Sequence, residues 1–400
     1  MTLYYADKTI VLGVCGSVAA YRACDLASQL TQRNATVITA MTASAQCLVC
    51  PASFEAVTGQ PVITEMFGPR VVPGIEHIAL AQRAALFLIA PATANILAKA
   101  AHGIADDWLS TTLLATDAPV LFAPAMNPAM WRHPATQDNV TLLRNRGALF
   151  VGPASGTVAC GDTGVGRLAD RDAILDALAI ALHADKDFAG KRVLITSGPN
   201  HEPIDPVRFI GNRSSGKMGR ALALEALRRG AEVCVVSGPA ETTPPAGAEV
   251  VAASTAAAMY EAVMARVDKY DIIIAAAAVA DFRLEQESGE KIKRGNDAVT
   301  MTLTPNPDII AAAAAKKRPG CKVVGFAAES HEVVNNAAEK LRRKQLDMIV
   351  ANTIGGENSA IGGDAGEAWI LTPNEPAESL GHIDKAALAA RIFDRIHKLP

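Results

Sequence analysis

Two segments of the sequence combine an apolar strand, a loop of small residues and a helix, an arrangement that can bind phosphate. The first runs from Thr9 to Gln32 and carries Gly13, Gly16 and Ser17 in its loop. The glycine spacing is GxxG rather than the full GxGxxG, so it is compatible with a phosphate site and with a plain tight turn. Ser17 stands at the start of the helix, where its hydroxyl can cap the helix or contact a phosphate.

The second segment, residues 191–230, repeats this arrangement. Lys191–Thr196 is typical of a short β-strand, and Ser197–Gly216 is a long polar loop. Apolar residues at helical spacing predict a helix over Lys217–Arg229, which stops at Gly230. Two such starts predict two nucleotide-type sites in two α/β domains.

Small and polar residues also follow the other predicted strands of the first half. The strand Thr36–Met41 leads into Thr42, and the strand Leu86–Ala90 leads into a Pro-Ala-Thr-Ala-Asn segment. Val120–Phe122 leads into Pro124–Trp131, whose two prolines, two methionines and one asparagine are unusual for a turn. Because ligands of doubly wound sheets bind at the carboxyl ends of the strands, these segments are candidates for a binding site.

A histidine and three cysteines are the other residues that could carry chemistry. His77 is predicted near a helix N-terminus, and taken alone it is more typical of a surface histidine than of a catalyst. Cys160 lies in the glycine-rich segment Gly156–Arg167, which predicts a mobile flap. Cys47 and Cys50 form a lone CxxC with no second pair, so we interpret them as buried small residues rather than as a metal or redox site.

Length and composition define the framework for these residues. A chain of 400 residues exceeds one ordinary core, and the polar segment Asp185–Gly190 predicts a boundary between domains 1–187 and 188–400. The net charge of −3 predicts no general attraction to nucleic acid or membrane. Seven cysteines without framework spacing favour a reducing compartment, and no signal peptide or membrane span is visible, so we expect a cytoplasmic protein.

The motifs resemble one family over nearly the whole chain. The first half resembles the flavin-dependent cysteine decarboxylases in the segments GSVAAY, EHIALA, APATAN, GIADD, LSTT, PAMNPAMW and ACGDTGVGRLA. The second half resembles phosphopantothenate–cysteine ligase in the segments EPIDPVRFIGNRSSGKMG, AAAVADFR, KIKR, NPDII, GFAAE and KQLDMIVAN. Order and fusion match the bacterial bifunctional decarboxylase/ligase family of coenzyme A synthesis.

For the first half, the resemblance implies a flavodoxin-like fold that binds FMN. His77 would act near the substrate thiol or carboxylate, Asn127 would hold the carboxylate, and Cys160 would donate a proton in the reductive step. Related flavin halves form trimers and ligase halves form dimers, so a closed homo-oligomer that combines both is expected. The FMN-binding residues implied are Gly16, Ser17, Thr42, Thr93, Ser110, Thr111 and Ala125.

For the second half, the resemblance implies a Rossmann-like fold and ligation of cysteine to 4'-phosphopantothenate through an acyl-cytidylate made from CTP with Mg²⁺. Lys291 would meet the triphosphate, and Asn212 would hold the acyl group with Arg208 nearby. Asp281 could bind the ribose or the metal ion, or only cap a helix, and Lys293 and Arg294 could share the role of Lys291 or form a solvated face. The other nucleotide-binding residues implied are Ala275, Ala276, Ala277, Pro307, Asp308, Ile309, Ile310, Phe326, Lys340 and Lys344.

Three positions depart from the family pattern. Ala85, Trp108 and Asn200 stand where an acidic residue, Leu and Thr are usual.

Two other functions compete with the one that the resemblance implies. A flavin reductase or prenyl-flavin transferase fused to an NAD-binding half is one alternative, but the second half lacks GxGxxG with a later acidic residue. A non-enzymatic flavoprotein that binds a partner is the other, and the intact Cys160 segment and Lys291 argue against it.

Overall fold

The computed structural model describes residues 4–67, 75–294, 298–354 and 362–400. The chain divides into two compact units, Met1–Ala184 and Asp185–Pro400, which we term the first and the second unit. The division falls in the polar segment where the sequence predicts a boundary. Phe188 packs in the core of the second unit.

The first unit alternates strands and helices through most of its length. Its strands are Thr9–Val14 (β1), Thr36–Met41 (β2), Leu86–Ala92 (β3), Val120–Pro124 (β4), Leu149–Phe150 (β5), Ala154–Thr157 (β6) and Thr163–Arg167 (β7). Its helices are Ala20–Thr31 (α1), Ala43–Gln46 (α2), Pro51–Thr58 (α3), Glu76–Arg83 (α4), Ala94–His102 (α5), Trp108–Ala115 (α6), Pro128–Arg132 (α7), Pro134–Asn145 (α8) and Arg171–Ala181 (α9).

The sheet of the first unit has the order β2-β1-β3-β4-β5, and all of its pairs are parallel. This is the flavodoxin-like order of a doubly wound sheet, whose ligands bind where the strand order reverses, next to β1 and β3. Strand β3 is apolar and buried throughout, and β1 is apolar and buried after Thr9, because helices cover both faces of such a sheet. The predicted flavodoxin-like fold is confirmed.

The second unit is built around a larger sheet. Its strands are Arg192–Ser197 (β8), Glu202–Pro203 (β9), Phe209–Ile210 (β10), Glu232–Ser237 (β11), Glu249–Ala252 (β12), Ile272–Ala275 (β13), Phe282–Leu284 (β14), Leu303–Pro305 (β15), Lys322–Glu329 (β16), Met348–Thr353 (β17), Ala365–Leu371 (β18) and Glu378–Asp384 (β19). Its helices are Lys217–Arg228 (α10), Ala256–Met264 (α11), Ile309–Lys316 (α12), Val333–Arg343 (α13) and Lys385–His397 (α14), with a short 3-10 helix at Val267–Lys269.

The sheet order of the second unit is β12-β11-β8-β13-β16-β17-β18-β19. Its first six strands are parallel and repeat the Rossmann order, while β18 and β19 add antiparallel strands at one edge. The order reverses between β8 and β13, which places the candidate site at their carboxyl ends. Among the described residues of both units, none of the helices combines the length and the apolar composition that a membrane span requires.

Two sequence-based expectations are wrong. The segment Gly156–Arg167 is not a long open loop: its ends belong to an antiparallel hairpin of β6 and β7, and only residues 158–162 connect the two strands. Cys47 and Cys50 are exposed rather than buried. Both stand at helix ends in a surface connection, Cys47 as the C-cap of α2 and Cys50 as the N-cap of α3, and helix ends face water more often than helix centres do.

A buried ion-pair network ties α10 to the rest of the second unit. The Glu225 carboxylate is 1% exposed and accepts hydrogen bonds from Arg228 and, at 2.8 Å, from Arg229 Nε. Arg229 also donates to Asp187 at 3.1 Å and to Asp394 on α14. The carboxylate therefore compensates two guanidinium groups that have little access to water.

We expect Glu225→Gln to lower the free energy of unfolding of the second unit by about 3 kcal/mol, because removing one partner of a buried network leaves the other charges uncompensated. Urea unfolding measures this value. The matched control is Glu249→Gln, whose carboxylate is 59% exposed and lies 3.7 Å from Arg266. Its cost should stay below about 1 kcal/mol, and equal costs for both variants would contradict the prediction.

Candidate active sites

The first unit contains a cavity of about 550 Å³ at the carboxyl ends of β1 and β4. Ser17 and the start of α1 form one wall, and Ala125 and Asn127, which follow β4, form another. Cys160 and its neighbours in the β6–β7 hairpin form a third. The structure thus brings together four residues that the sequence places in three separate segments.

Asn127 and Cys160 are in direct contact. The Asn127 Nδ2 atom donates a hydrogen bond to Cys160 Sγ at 3.3 Å and another to Asp162 Oδ2 at 2.6 Å. The Asn127 Oδ1 atom accepts from the Ala129 amide at 2.8 Å, so Asn127 is also the N-cap of α7. Cys160 Sγ lies 3.5 Å from the same Asp162 oxygen. An amide, a thiol and a carboxylate therefore form one cluster at the cavity.

The hairpin is held against β4 by a close backbone approach. The Met126 amide donates to the Gly166 carbonyl at 2.9 Å. A Cβ atom at Gly166 would collide with the Met126 carbonyl oxygen, so only glycine allows this approach. Asn127 and Cys160 are thus positioned by two segments that are bonded to each other.

The predicted phosphate loop packs closely against the loop that follows β2. A Cβ atom at Gly16 would collide with the Ser44 side chain, so the loop after β1 lies directly on the loop after β2. Thr42 caps α2 and Thr93 caps α5, which places helix N-termini and hydroxyls along the same edge of the sheet. These residues fit the FMN site that the sequence predicts.

The remaining FMN candidates differ in accessibility. Ser110 is 2% exposed and forms a capping box with Asp107, whose Oδ1 accepts from the Ser110 amide at 2.8 Å. Its hydroxyl is therefore committed to the start of α6, and Thr111 follows it half-buried in the same turn. Their contact with a flavin stays a prediction.

His77 lies in the first turn of α4 and is partly exposed. It is not among the described residues that line the 550 Å³ cavity. Cys15, in contrast, is buried at the end of β1, and burial raises the pKa of its thiol to about 12. A buried neutral thiol is unreactive, which leaves Cys160 as the accessible thiol of this cavity.

The second unit contains a cavity of about 580 Å³ at the carboxyl ends of β8 and β13. Asn212, whose Nδ2 donates to the Val279 carbonyl at 2.8 Å, bridges the NRSSGKMG loop and the segment after β13. The predicted residues that line the cavity are Asn212, Ala276, Ala277, Asp281, Phe326 and Lys340. Ala275 is the last residue of β13, directly before this group.

Lys340 lies on α13 and Lys344 is the C-cap of that helix, and the two have different surroundings. Burial, followed by the charge of Lys344, lowers the pKa of Lys340, which lines the cavity. Lys344 Nζ lies 2.8 Å from Asp308, the N-cap of α12, in the predicted segment Pro307–Ile310. Burial acts to raise the pKa of Asp308, but hydrogen bonds from Lys344 and the Ala311 amide lower it below its usual value. The charge of Lys344 is therefore already compensated by the Asp308 carboxylate.

Arg208 and Lys291 lie outside the described lining of this cavity. Arg208 donates to Asp205, and it also donates to the Ile292 carbonyl at 2.6 Å. Burial opposes ionisation of Asp205, but Arg208 and three backbone amides lower its pKa strongly. Arg208, which the resemblance places near the charge of the substrate, is thus already paired with Asp205. Lys291 is exposed next to Ile292, whose amide is bonded to Asp205 at 3.1 Å.

Asn200, where Thr is usual in the family, is completely buried. Neither its Oδ1 nor its Nδ2 has a hydrogen-bond partner in the part of the chain that the structure describes. A buried unpaired polar group costs about 1–3 kcal/mol. The departure therefore affects packing and not a surface that faces ligand.

We expect Asn200→Thr to raise the free energy of unfolding by about 1 kcal/mol, because one hydroxyl replaces two unpaired amide atoms. Chemical denaturation with and without the substitution measures the change. A loss of stability would mean that Asn200 is satisfied in solution, for example by water.

Sequence reasoning missed several residues at the two cavities. Asp162 contacts Asn127 and Cys160, and its place within the ACGDTGVGRLA motif was an available signal. Lys217 and Lys385 line the second cavity, where Lys217 pairs with Asp364 at 2.6 Å. Lys217 belongs to the NRSSGKMG motif, but no local pattern distinguishes Lys385 from a surface lysine.

Comparisons with known proteins cover both units. A family model described as Flavoprotein matches residues 4–183, and one described as DNA/pantothenate metabolism flavoprotein C-terminal domain matches residues 188–399. The coenzyme A biosynthesis bifunctional protein CoaBC of Mycobacterium tuberculosis is 44% identical over 97% of this chain and 96% of its own length. That of Vibrio cholerae is 42% identical, with 98% of each chain covered.

Two solved structures resemble single units. The C-terminal domain of a coenzyme A biosynthesis bifunctional protein CoaBC is 34% identical, covers 53% of this chain and 97% of its own, and has a TM-score of 0.46. The FMN-dependent cysteine decarboxylase SpaF is 39% identical, covers 44% of this chain and 96% of its own, and has a TM-score of 0.39. With the full-length relatives and both family models in agreement, the chain belongs to the family of bifunctional coenzyme A biosynthesis proteins, in which a flavoprotein decarboxylase half precedes a ligase half.

Proposed function

We propose that the first unit binds FMN and decarboxylates 4'-phosphopantothenoylcysteine with Asn127 and Cys160 as its central residues. The observation that carries this proposal is the 3.3 Å contact between the Asn127 amide and the Cys160 thiol in a cavity beside the phosphate loop. FMN would rest on Gly16 and Ser17 and along the strand ends at Thr42, Thr93 and Ala125.

The chemistry explains why these residue types are needed. Loss of CO2 from an ordinary cysteine carboxylate would leave an unstabilised carbanion, and bound flavin supplies the necessary electron sink and later returns the electrons. The chain's own part is to hold the substrate carboxylate at the Asn127 amide and to deliver a proton to carbon from the Cys160 thiol. His77 would act as a base or orienting group near the thiol or the carboxylate.

For the second unit, we propose CTP-dependent ligation of cysteine to 4'-phosphopantothenate. A carboxylate and an ammonium group do not form an amide in neutral water without activation, and an acyl-cytidylate supplies it. The cavity at the switch point would hold the nucleotide near Phe326 and Lys340, and Asn212 would hold the acyl group. Mg²⁺ would accompany the triphosphate with Asp281 as a candidate ligand, and Lys291 would neutralise phosphate charge.

Domain limits, assembly and location complete the proposal. We assign residues 1–187 to the decarboxylase and 188–400 to the ligase. We infer a homo-oligomer with trimers of flavin halves joined by dimers of ligase halves, acting on small molecules in the cytoplasm. Light scattering of the purified protein measures the mass of the assembly, and a monomer would exclude it.

One incubation tests both activities. The purified protein, as isolated with its flavin, is mixed with 4'-phosphopantothenate, cysteine, CTP and Mg²⁺, and products are identified by mass. We expect 4'-phosphopantetheine with CTP and only unreacted substrate when CTP is omitted. A yellow protein that forms neither the ligated nor the decarboxylated product would favour a non-enzymatic flavoprotein, and binding of NAD in place of CTP would favour a reductase fusion.

A further inference from the structure

Asp162 is the one residue of the β6–β7 connection whose carboxylate reaches the Asn127–Cys160 pair in the described structure. The connection folds back on itself, with the Val158 amide bonded to the Asp162 carbonyl at 2.9 Å. This turn directs one carboxylate oxygen of Asp162 to the Asn127 Nδ2 atom at 2.6 Å and leaves it 3.5 Å from Cys160 Sγ. The side chain is otherwise exposed.

The chain itself uses both N–H donors of the Asn127 side chain. A primary amide offers two N–H donors, and here they go to Asp162 and to Cys160. The Asn127 oxygen accepts from the Ala129 amide and fixes the orientation of the group. A ligand carboxylate can bind this amide only if a hairpin group gives up its bond.

We propose that Asp162 occupies the substrate-carboxylate position on Asn127 and competes with the substrate for it. This inference rests on the proposed roles of Asn127 and Cys160. An aspartate carboxylate and the cysteine carboxylate of the substrate are the same chemical group, and the 2.6 Å bond is a charge-assisted one. Asp162 is therefore a positioning residue and takes no part in bond making or breaking.

The exchange of one carboxylate for another sets the order in which CO2 leaves and the proton is delivered. Binding of the substrate carboxylate displaces the Asp162 carboxylate from Asn127. Loss of CO2 removes the competitor, so Asp162 returns to Asn127. Because Cys160 is only two residues away on the same turn, its thiol lies beside the returned carboxylate when carbon needs a proton.

The test compares two ligands that cannot be oxidised at sulfur. One is 4'-phosphopantothenoylserine, which keeps the carboxylate, and the other is its decarboxylated counterpart, the ethanolamine amide. Both are titrated by calorimetry into the full-length protein, into Asp162→Asn, which keeps the shape, and into Asp162→Ala, which also removes the acceptor. Asp172→Asn is the matched control, because that exposed carboxylate pairs with Arg171 on α9.

We expect both Asp162 variants to bind the serine ligand about tenfold more tightly than the unsubstituted protein does. This gain corresponds to removal of one charge-assisted hydrogen bond that competes with the ligand carboxylate. Affinity for the ethanolamine ligand should not change, nor should either affinity in Asp172→Asn. With the true substrate, the Asp162 variants should release more product that is two hydrogens lighter than 4'-phosphopantetheine. Circular dichroism checks that both variants fold.

Unchanged or weaker binding of the serine ligand by both variants would overturn the inference, as would equal tightening for the two ligands. These outcomes differ from failure of the proposed function. If the unchanged protein does not decarboxylate 4'-phosphopantothenoylcysteine, the proposed function fails; if it does and the affinities do not respond, only the role of Asp162 fails.

Discussion

Cys160→Ser is expected to stop the decarboxylase reaction after CO2 has left. The variant should release CO2 once, lose its yellow flavin colour and hold a product two hydrogens lighter than 4'-phosphopantetheine. Formation of the normal saturated product should fall by about 10²–10⁴-fold, the usual contribution of a positioned acid. Mass spectrometry of the quenched mixture and the visible spectrum of the flavin measure both results.

The two halves of the reaction place different demands on the hairpin. In the proposed reaction, oxidation of the substrate thiol and loss of CO2 need the flavin, His77 and Asn127, but no proton from Cys160. Return of the electrons requires a proton delivered to carbon, and the Cys160 thiol is in contact with Asn127. A serine hydroxyl is a far weaker acid than a thiol, so we expect the substitution to block the second half alone.

Cys50→Ser is the matched control, since it makes the same chemical change at an exposed cysteine. Cys50 is the N-cap of α3 without a side-chain bond, and serine is a preferred residue at that position. We expect full activity from this variant. If Cys160→Ser instead makes the saturated aminethiol at an undiminished rate, Cys160 is not the proton donor and the hairpin only covers the site.

Several strands could be predicted from sequence, because each of these is a short apolar run followed by small or polar residues. Thr36–Met41 has the predicted limits, and the strand predicted over Leu86–Ala90 extends to Ala92. Strand β13 ends at Ala275, although the apolar run continues into the cavity wall as Ala276 and Ala277. Hydrophobicity alone does not separate a buried strand from the buried small residues that line a site.

The hairpin could not be predicted, because its glycines indicate a loop by composition while serving a close backbone approach in the structure. That role depends on Met126, which is 40 residues away. The ion pairs of a charged residue are equally hard to predict from sequence. A motif identifies Arg208, but its pairing with Asp205 and with the Ile292 carbonyl depends on the fold. Which cations remain available to a ligand is therefore a tertiary property.

Lys291→Gln is expected to lower the rate of ligation by about 10²–10³-fold, as removal of one preorganised group that stabilises charge does. Decarboxylation of added 4'-phosphopantothenoylcysteine should be unchanged, because its proposed site lies in the first unit. The two rates are measured separately, one as CTP-dependent amide formation and the other as CO2 release.

The side chain of Lys291 is available to the triphosphate that we propose as its ligand. Its neighbour Ile292 is held on both backbone sides, by Asp205 at the amide and by Arg208 at the carbonyl. The backbone next to Lys291 is thus anchored while its side chain stays exposed. Arg208 is paired with Asp205, and Lys344 is paired with Asp308. Lys291 is therefore a better candidate than either of them to bind a triphosphate.

Lys191→Gln is the matched control for Lys291→Gln. Lys191 is also exposed, but it precedes β8 and lies at the amino end of that strand, whereas ligands of this fold bind at the carboxyl ends. The control should leave both rates unchanged, so a general effect of lost surface charge is separated from a local one. Equal loss of ligation and decarboxylation in Lys291→Gln would contradict the assignment, because a contact with the triphosphate alone cannot slow a reaction that uses no nucleotide.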